Sequence, residues 1–270
     1  MEHFTTSLPS VASPANFELR LFSAGSANDE YNTHLWVKGA SLFIPQINEL
    51  LTHTDYIFTE TQISDFHCDY ADLGSILEKH GSDKSTRHNY HILYAFILRK
   101  IGVESTANIF EIGLGTNNPN LVSTMGPDGK PGASLYAFRE YLPNANIYGG
   151  DIDKNILFNA HRIQTGFVDQ LDISTFHAVA KQFGNKKYDL IIDDGLHSIG
   201  ANFNTLLFAL NNITENGWIV IEDIANIDNW RSIDFMLNTT NKYKTYIVKS
   251  AISFLYVVHL LPSRLPVVSP

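Results

Sequence analysis

From Ala107 to the end of the chain, short apolar runs alternate with segments of helical periodicity. The strand-like runs are "ANIFEIG", "ANIYGGDID", "GFVDQLD", "YDLIIDDG" and "GWIVIEDI". Between them lie "SLYAFREYL", "KNILFNAHRI", "ISTFHAVAKQFG" and "SIGANFNTLLFALNNI", each expected to form a helix. A chain that alternates in this way folds as a parallel, doubly wound sheet with helices on both faces. A further helix, "WRSIDFMLN", precedes two closely spaced strands, "KTYIVKS" and "SFLYVVHL". Their short connection predicts a hairpin, and so an antiparallel C-terminal edge strand on an α/β, Rossmann-like, mostly parallel sheet.

The 270 residues suit one large domain or a domain with an appended segment. Hydrophobic residues make up 44% and charged residues 17%, a composition that builds a core. Upstream of the alternation, Leu73, Ile76 and Leu77, then Ile92, Leu93, Phe96 and Ile97, sit at helical spacing around the break "HGSDKSTRHNY". The expected division is an N-terminal accessory segment over 1–75, a catalytic domain over 76–262 and a tail over 263–270.

The bulk numbers narrow the partners. Net charge is −9 and there is no Lys/Arg run, which argues against nucleic acid. The longest apolar run, "AISFLYVVHLL", falls short of the roughly 20 residues that span a bilayer. No basic region followed by an apolar stretch opens the sequence, and the single cysteine, Cys68, permits no internal disulfide. A cytoplasmic protein is expected. Cys68 has His67 beside it, but a spectator thiol is the simpler reading.

Chemistry concentrates where the strands end. In "FEIGLGTNNPN", Glu111 closes a strand and Gly113 and Gly115 form a tight turn that lets backbone approach a ligand. Position 118 is Asn, so the third glycine of the dinucleotide fingerprint is missing. The next strand ends on Asp151 and Asp153, either of which could hold ribose hydroxyls. With no P-loop lysine, this set fits an S-adenosyl-L-methionine site better than a dinucleotide site. "YDLIIDDGLHS" ends a greasy strand on Asp193 and Asp194, with His197 three residues later, and "WIVIEDI" ends on Glu222 and Asp223. If those strands are neighbours, carboxylates converge and repel unless a cation joins them. All-oxygen ligands favour Mg²⁺ or Mn²⁺. A helix starting near His197 would place it on the same face as Asp194, where a neutral imidazole can serve as general base. Asp193 reads as a helix cap or support, whereas Asp194 reads as a metal ligand, with a plain helix cap as its alternative.

Taken in order, "FEIGLG", "GASLYAFREYLPNANIYGGDID", "VDQLD", "DLIIDDGLHS" and "GWIVIEDI" resemble the macrocin and mycinamicin type of sugar O-methyltransferase, which depends on S-adenosylmethionine and Mg²⁺. "HGSDKSTRHNYHILY" is similar to that family's "GTDK…H.Y…Y" segment, with Ser82 in place of Thr. The resemblance covers roughly residues 78 to 225. It implies Glu111, Gly113 and Gly115 at the methionine half of the cofactor, Asp151 or Asp153 at the ribose, and Asp169 and Gln170 facing the adenine. It implies Asp194, Glu222 and Asp223 as metal ligands, His197 as base, and Asp83 and Lys84 shaping the entrance. Leu196 departs from the family's small polar residue, and "STMGPDGKPGAS" is a longer loop that could serve as a lid or subunit contact. The acceptor implied is a hydroxyl of a sugar or sugar-bearing small molecule. A phenolic or phosphorylated acceptor, or an inactive cofactor-binding module, are the alternatives. Relatives of this type commonly form homo-oligomers.

Overall fold

A computed structural model describes residues 67–262. The expected accessory segment up to residue 66, the tail from 263, and the side chains of His67, Cys68 and Asp69 lie outside the described residues. Asp228–Phe235 belongs to a separate compact unit, whereas the sheet and the helices that cover it belong to the larger one.

Eight strands form one sheet: β1 (Asn108–Ile112), β2 (Asn146–Asp151), β3 (Asn159–Ala160), β4 (Ile163–Phe167), β5 (Tyr188–Asp193), β6 (Ile213–Ile224), β7 (Tyr243–Lys249) and β8 (Phe254–Leu260). Their spatial order is β3-β4-β2-β1-β5-β6-β8-β7. The central pairs β4–β2, β2–β1, β1–β5 and β5–β6 are all parallel. β8 runs antiparallel to both β6 and β7, so the reversed strand sits one place in from the edge. Ile224 pairs with Phe254, which puts the β7–β8 turn at the same rim as the carboxyl end of β6.

Helices cover both faces. On one side α1 (His67–His80), α3 (His91–Ile101) and α4 (Ala133–Tyr141) share a core with alternate strand residues, among them Ile109, Leu190, Ile192 and Val220. Leu73 and Leu77 of α1, and Leu93, Ile97 and Leu98 of α3, supply the buried stripe that the helical spacing predicts. Leu73 lies in the same core as Leu77. α5 (Ile173–Gln182) and α6 (Ile199–Asn212) pack against β4, β5 and β6 on the opposite side, where Phe110 meets Phe208 edge-on. The one-turn helix α2 (Asp83–Thr86) occupies the break before α3, capped by Ser82.

The helix expected at "KNILFNAHRI" does not form. A 3-10 turn over Lys154–Ile156 leads instead into β3, which pairs antiparallel with β4. The consecutive triplet Ile156, Leu157, Phe158 packs sideways on the core, where a helix would spread those residues around its axis. The Thr165 hydroxyl donates to the Phe158 carbonyl and accepts from its N–H, fixing the extended form.

Candidate functional site

The site lies at the carboxyl ends of the central strands, as expected for an open α/β sheet. Gly113 follows β1 with φ of +91°; a Cβ there would lie 1.9 Å from the Asp194 carbonyl oxygen. Only glycine permits so close an approach between the β1 and β5 loops. Asp194 N–H donates to the Ile112 carbonyl, and Gly113 N–H to that of Gly150, so three loops are tied together. Gly115, at φ of +78°, lies against the Met125 side chain of the long loop. Asn117 clamps that loop through the carbonyls of Gly126 and Gly129.

Asp151 is buried and accepts from the N–H groups of Leu114 (2.7 Å) and Asp153 (2.8 Å). It thereby shapes the glycine turn from beneath. Asp153 accepts from the Thr116 hydroxyl and from Asn155. Asp151 lines the cleft. Asp169 and Gln170, the residues expected to face the adenine, lie in the loop after β4. Asp169 accepts from Leu171 N–H within its own turn. Gln170 is buried and donates to Asp193 and Thr205, while its carbonyl accepts from Leu196 N–H. The loop needs these bonds because its backbone is buried away from water.

Strand alternation separates the four acidic residues at the β5 and β6 ends. Asp193 points with Ile191 to the α6 side, fully buried, and accepts from Gln170, Asn202 and Gly195 N–H. Glu222 points with Val220 to the α1/α3 side. Its carboxylate meets Lys84 Nζ at 2.7 Å and the Tyr94 hydroxyl. Glu222, expected as a metal ligand, lines the cleft with Asp194 and Asp223, its carboxylate engaged by Lys84 and Tyr94. Asp194 lies just beyond β5, and Asp223 sits within β6 at the register shift between Ile221 and Ile224; both line the cleft.

Lys84 is the residue whose place the sequence left least defined. It is not at an entrance. Its side chain is only 2% exposed, and its Nζ lies 2.5 Å from Asp194, 2.7 Å from Glu222 and 3.2 Å from Glu111. Burial alone would push the ammonium toward neutrality, but Asp194, Glu222 and Glu111 together hold it well above its ordinary range. Burial raises Glu111, which also accepts from the Ser134 hydroxyl at 2.6 Å. Burial likewise raises Glu222, with the neighbouring Asp194 charge adding to it. Asp83 stands outside this cluster and faces His88 at 3.5 Å. Both line the cleft.

Among the described residues, Asp194, His197 and Asp223 bring ligand atoms within 4.8 Å of one another. His197 Nε2 is 3.7 Å from Asp194 Oδ1 and 3.7 Å from Asp223 Oδ2. The expected helix start does not create this pairing. α6 begins at Ile199 with Ser198 as its cap, and neither Asp193 nor Asp194 caps it. His197 instead takes a left-handed conformation (φ 54°), and so does Asp223 (φ 54°). Such backbone is costly for non-glycine residues and persists where the surroundings impose it. The other Asp223 oxygen, Oδ1, accepts from the Tyr90 hydroxyl at 2.5 Å; that hydroxyl also contacts Ser253 of the β7–β8 turn at 2.6 Å.

One cleft of about 660 Å³ joins the two halves. Gly113, Gly115 and Asp151 line one end; Asp194, His197 and Asp223 line the other, with Met125 and Ile252 at its walls. Six carboxylates line it (Asp83, Asp128, Asp151, Asp194, Glu222 and Asp223) against three cations, Lys84, Arg87 and Lys130. That leaves room for cationic ligands. The outward carboxylate oxygens of Asp194 and Asp223 are hard donors of the kind that fit a hard divalent cation.

No protein-family model matches the chain. It is 31% identical over 157 residues to the 8-demethyl-8-(2-methoxy-alpha-L-rhamnosyl)-tetracenomycin-C 3'-O-methyltransferase of Streptomyces olivaceus, covering 57% of this chain and 37% of that relative. It is 35% identical over 94 residues to the mycinamicin VI 2''-O-methyltransferase of Micromonospora griseorubida, covering 34% and 23%. The chain thus spans well under half the length of these curated relatives. The fold matches the MycE methyltransferase from the mycinamycin biosynthetic pathway in complex with Mg and SAH. The TM-score is 0.56 at 22% identity, over 73% of this chain and 57% of that one. A second structure of that enzyme, with mycinamycin VI also bound, gives 0.56 at 19%. The described residues have the class I methyltransferase fold, and the relatives support the sugar O-methyltransferase resemblance that the motifs carry. Among the described residues, no helix is long and apolar enough to cross a membrane.

Proposed function

We propose that this chain is an S-adenosylmethionine-dependent, Mg²⁺-dependent O-methyltransferase acting on a hydroxyl of a sugar or sugar-bearing small molecule. One observation carries the reading: a glycine-turn cleft and the Asp194–His197–Asp223 convergence open into the same space. The named relatives, both sugar-linked natural-product O-methyltransferases, support the acceptor class.

Gly113, Gly115 and Asp151 would take the cofactor, with Asp153 bracing the turn through Thr116. S-adenosylmethionine supplies an electrophilic methyl group on a sulfonium centre. Asp194 Oδ1 and Asp223 Oδ2 would hold the cation, whose bound form supplies Lewis acidity and fixes the direction of an acceptor hydroxyl. His197 faces the same space with 32% of its side chain exposed, so a hydroxyl can reach its Nε2. It would accept the hydroxyl proton as the acceptor oxygen bonds the methyl carbon and the S–CH3 bond breaks, with S-adenosylhomocysteine leaving. Asp194 and Asp223 flank the imidazole and accompany the charge it gains. Glu111 and Glu222 add negative charge behind the rim, and Lys84 keeps them in place.

Transfer of a labelled methyl group from S-adenosylmethionine to a panel of glycosylated acceptors tests the reading. Label should appear on a sugar oxygen with Mg²⁺ present. Label on a phenolic or phosphorylated acceptor alone would move the acceptor class. Cofactor binding without transfer to any acceptor would favour an inactive binding module.

A further inference from the structure

The two outward carboxylates share an arrangement that the proposed roles do not by themselves require. Each has one oxygen pinned from inside the protein and the other directed at the same point. Asp194 Oδ2 is held by Lys84 Nζ at 2.5 Å, which leaves Oδ1 facing His197. Asp223 Oδ1 is held by the Tyr90 hydroxyl at 2.5 Å, which leaves Oδ2 facing His197. The pinning groups come from the segment between α1 and α3, not from the sheet that carries the carboxylates.

Both pins are themselves fixed. Lys84 is braced by Glu222 and Glu111, and Tyr90 is 1% exposed, with its ring against His88 and its hydroxyl on Ser253. A carboxylate at a strand end can otherwise rotate about its terminal torsion, which is broad and nearly two-fold. One charge-assisted bond to a buried, immobile donor removes that freedom.

We propose that Lys84 and Tyr90 are positioning residues for the cation centre, each capturing one carboxylate oxygen so that the other is presented to the ion. The inference rests on the cation reading above. Outer groups that orient ligand carboxylates typically change metal affinity about 10–100-fold when removed. Tyr94 offers an internal contrast. Its hydroxyl also bonds a carboxylate of the same Glu–Asp pair, but that of Glu222, whose oxygens are engaged by Lys84 and Tyr94.

The test is Mn²⁺ binding to the full chain, followed by the electron paramagnetic resonance signal of free Mn²⁺, with Mg²⁺ as competitor. Tyr90→Phe and Lys84→Met should each weaken Mn²⁺ about 10-fold or more, while Tyr94→Phe stays within about twofold of wild type. Thermal unfolding with S-adenosylhomocysteine reports whether each variant is folded; should Lys84→Met fail that check, Tyr90→Phe decides alone. Wild-type affinity in Tyr90→Phe, in a protein whose Asp223→Asn variant has lost Mn²⁺, would overturn the positioning role and leave the cation reading standing. A wild-type chain that binds no Mn²⁺ would overturn both. Equal weakening in Tyr94→Phe and Tyr90→Phe would assign the effect to general loosening of the core and also overturn it.

Discussion

The two ends of the cleft satisfy their carboxylates by different means. At the β1–β2 end, Asp151 and Asp153 direct their oxygens to backbone N–H groups and to a threonine hydroxyl. Those bonds build the wall of the cleft from loop donors. At the β5–β6 end, Glu222 and Asp194 answer to a buried ammonium, and Asp223 to a tyrosine. Two oxygens are left over there, and they point at one imidazole. An acid that shapes a loop is fully consumed by its neighbours; an acid that serves chemistry keeps an oxygen free. Asp193 and Asp194 show the same contrast across a single peptide bond, since Asp193 is enclosed by Gln170, Asn202 and Gly195.

If the two ends are separable, removing the cation has the largest effect. EDTA should abolish methyl transfer and Mg²⁺ should restore it, with S-adenosylhomocysteine affinity nearly unchanged by isothermal titration. Full activity in chelator would break the division. Next in size, His197→Ala should lower kcat by about 10²–10⁴-fold with cofactor affinity intact; parallel loss of Mn²⁺ affinity would make His197 a ligand instead of the base. Asp151→Ala acts on the opposite end. It releases two buried N–H groups, and loss of bonds to a charged acceptor costs about 1.5–3 kcal/mol each. S-adenosylhomocysteine binding should weaken by tenfold or more while Mn²⁺ binding holds. The smallest functional effect is expected from Asp193→Ala, which strands the amides of Gln170 and Asn202 at a cost of about 1–3 kcal/mol in stability. Its Tm should fall, with both ligand affinities close to wild type in the folded protein.

The strands of the central sheet were legible because buried parallel strands read as continuous apolar runs. "KNILFNAHRI" misled because a run of three apolar residues fits a packed turn as well as a helix turn. The convergence of Asp194, His197 and Asp223 followed from two strand ends being neighbours, which alternation of elements implies. The direction of Glu222 was also available in principle: Val220 and Glu222 share a face by the two-residue period, opposite to Ile219 and Ile221. Lys84 was harder. Nothing in "GSDKS" reveals that its ammonium is buried, because that depends on three carboxylates 27 to 138 residues away in the chain. The left-handed turns at His197 and Asp223 carry no glycine to announce them.

The reversed strand β8 has a consequence for how such a fold could diversify. Reversal brings residues 250–253 over the cleft, where Ile252 faces the open space and Ser253 touches Tyr90. The last hairpin of the fold is thus a graft point. Lengthening or exchanging four turn residues would alter what the cleft admits, while every residue of the central parallel strands keeps its place.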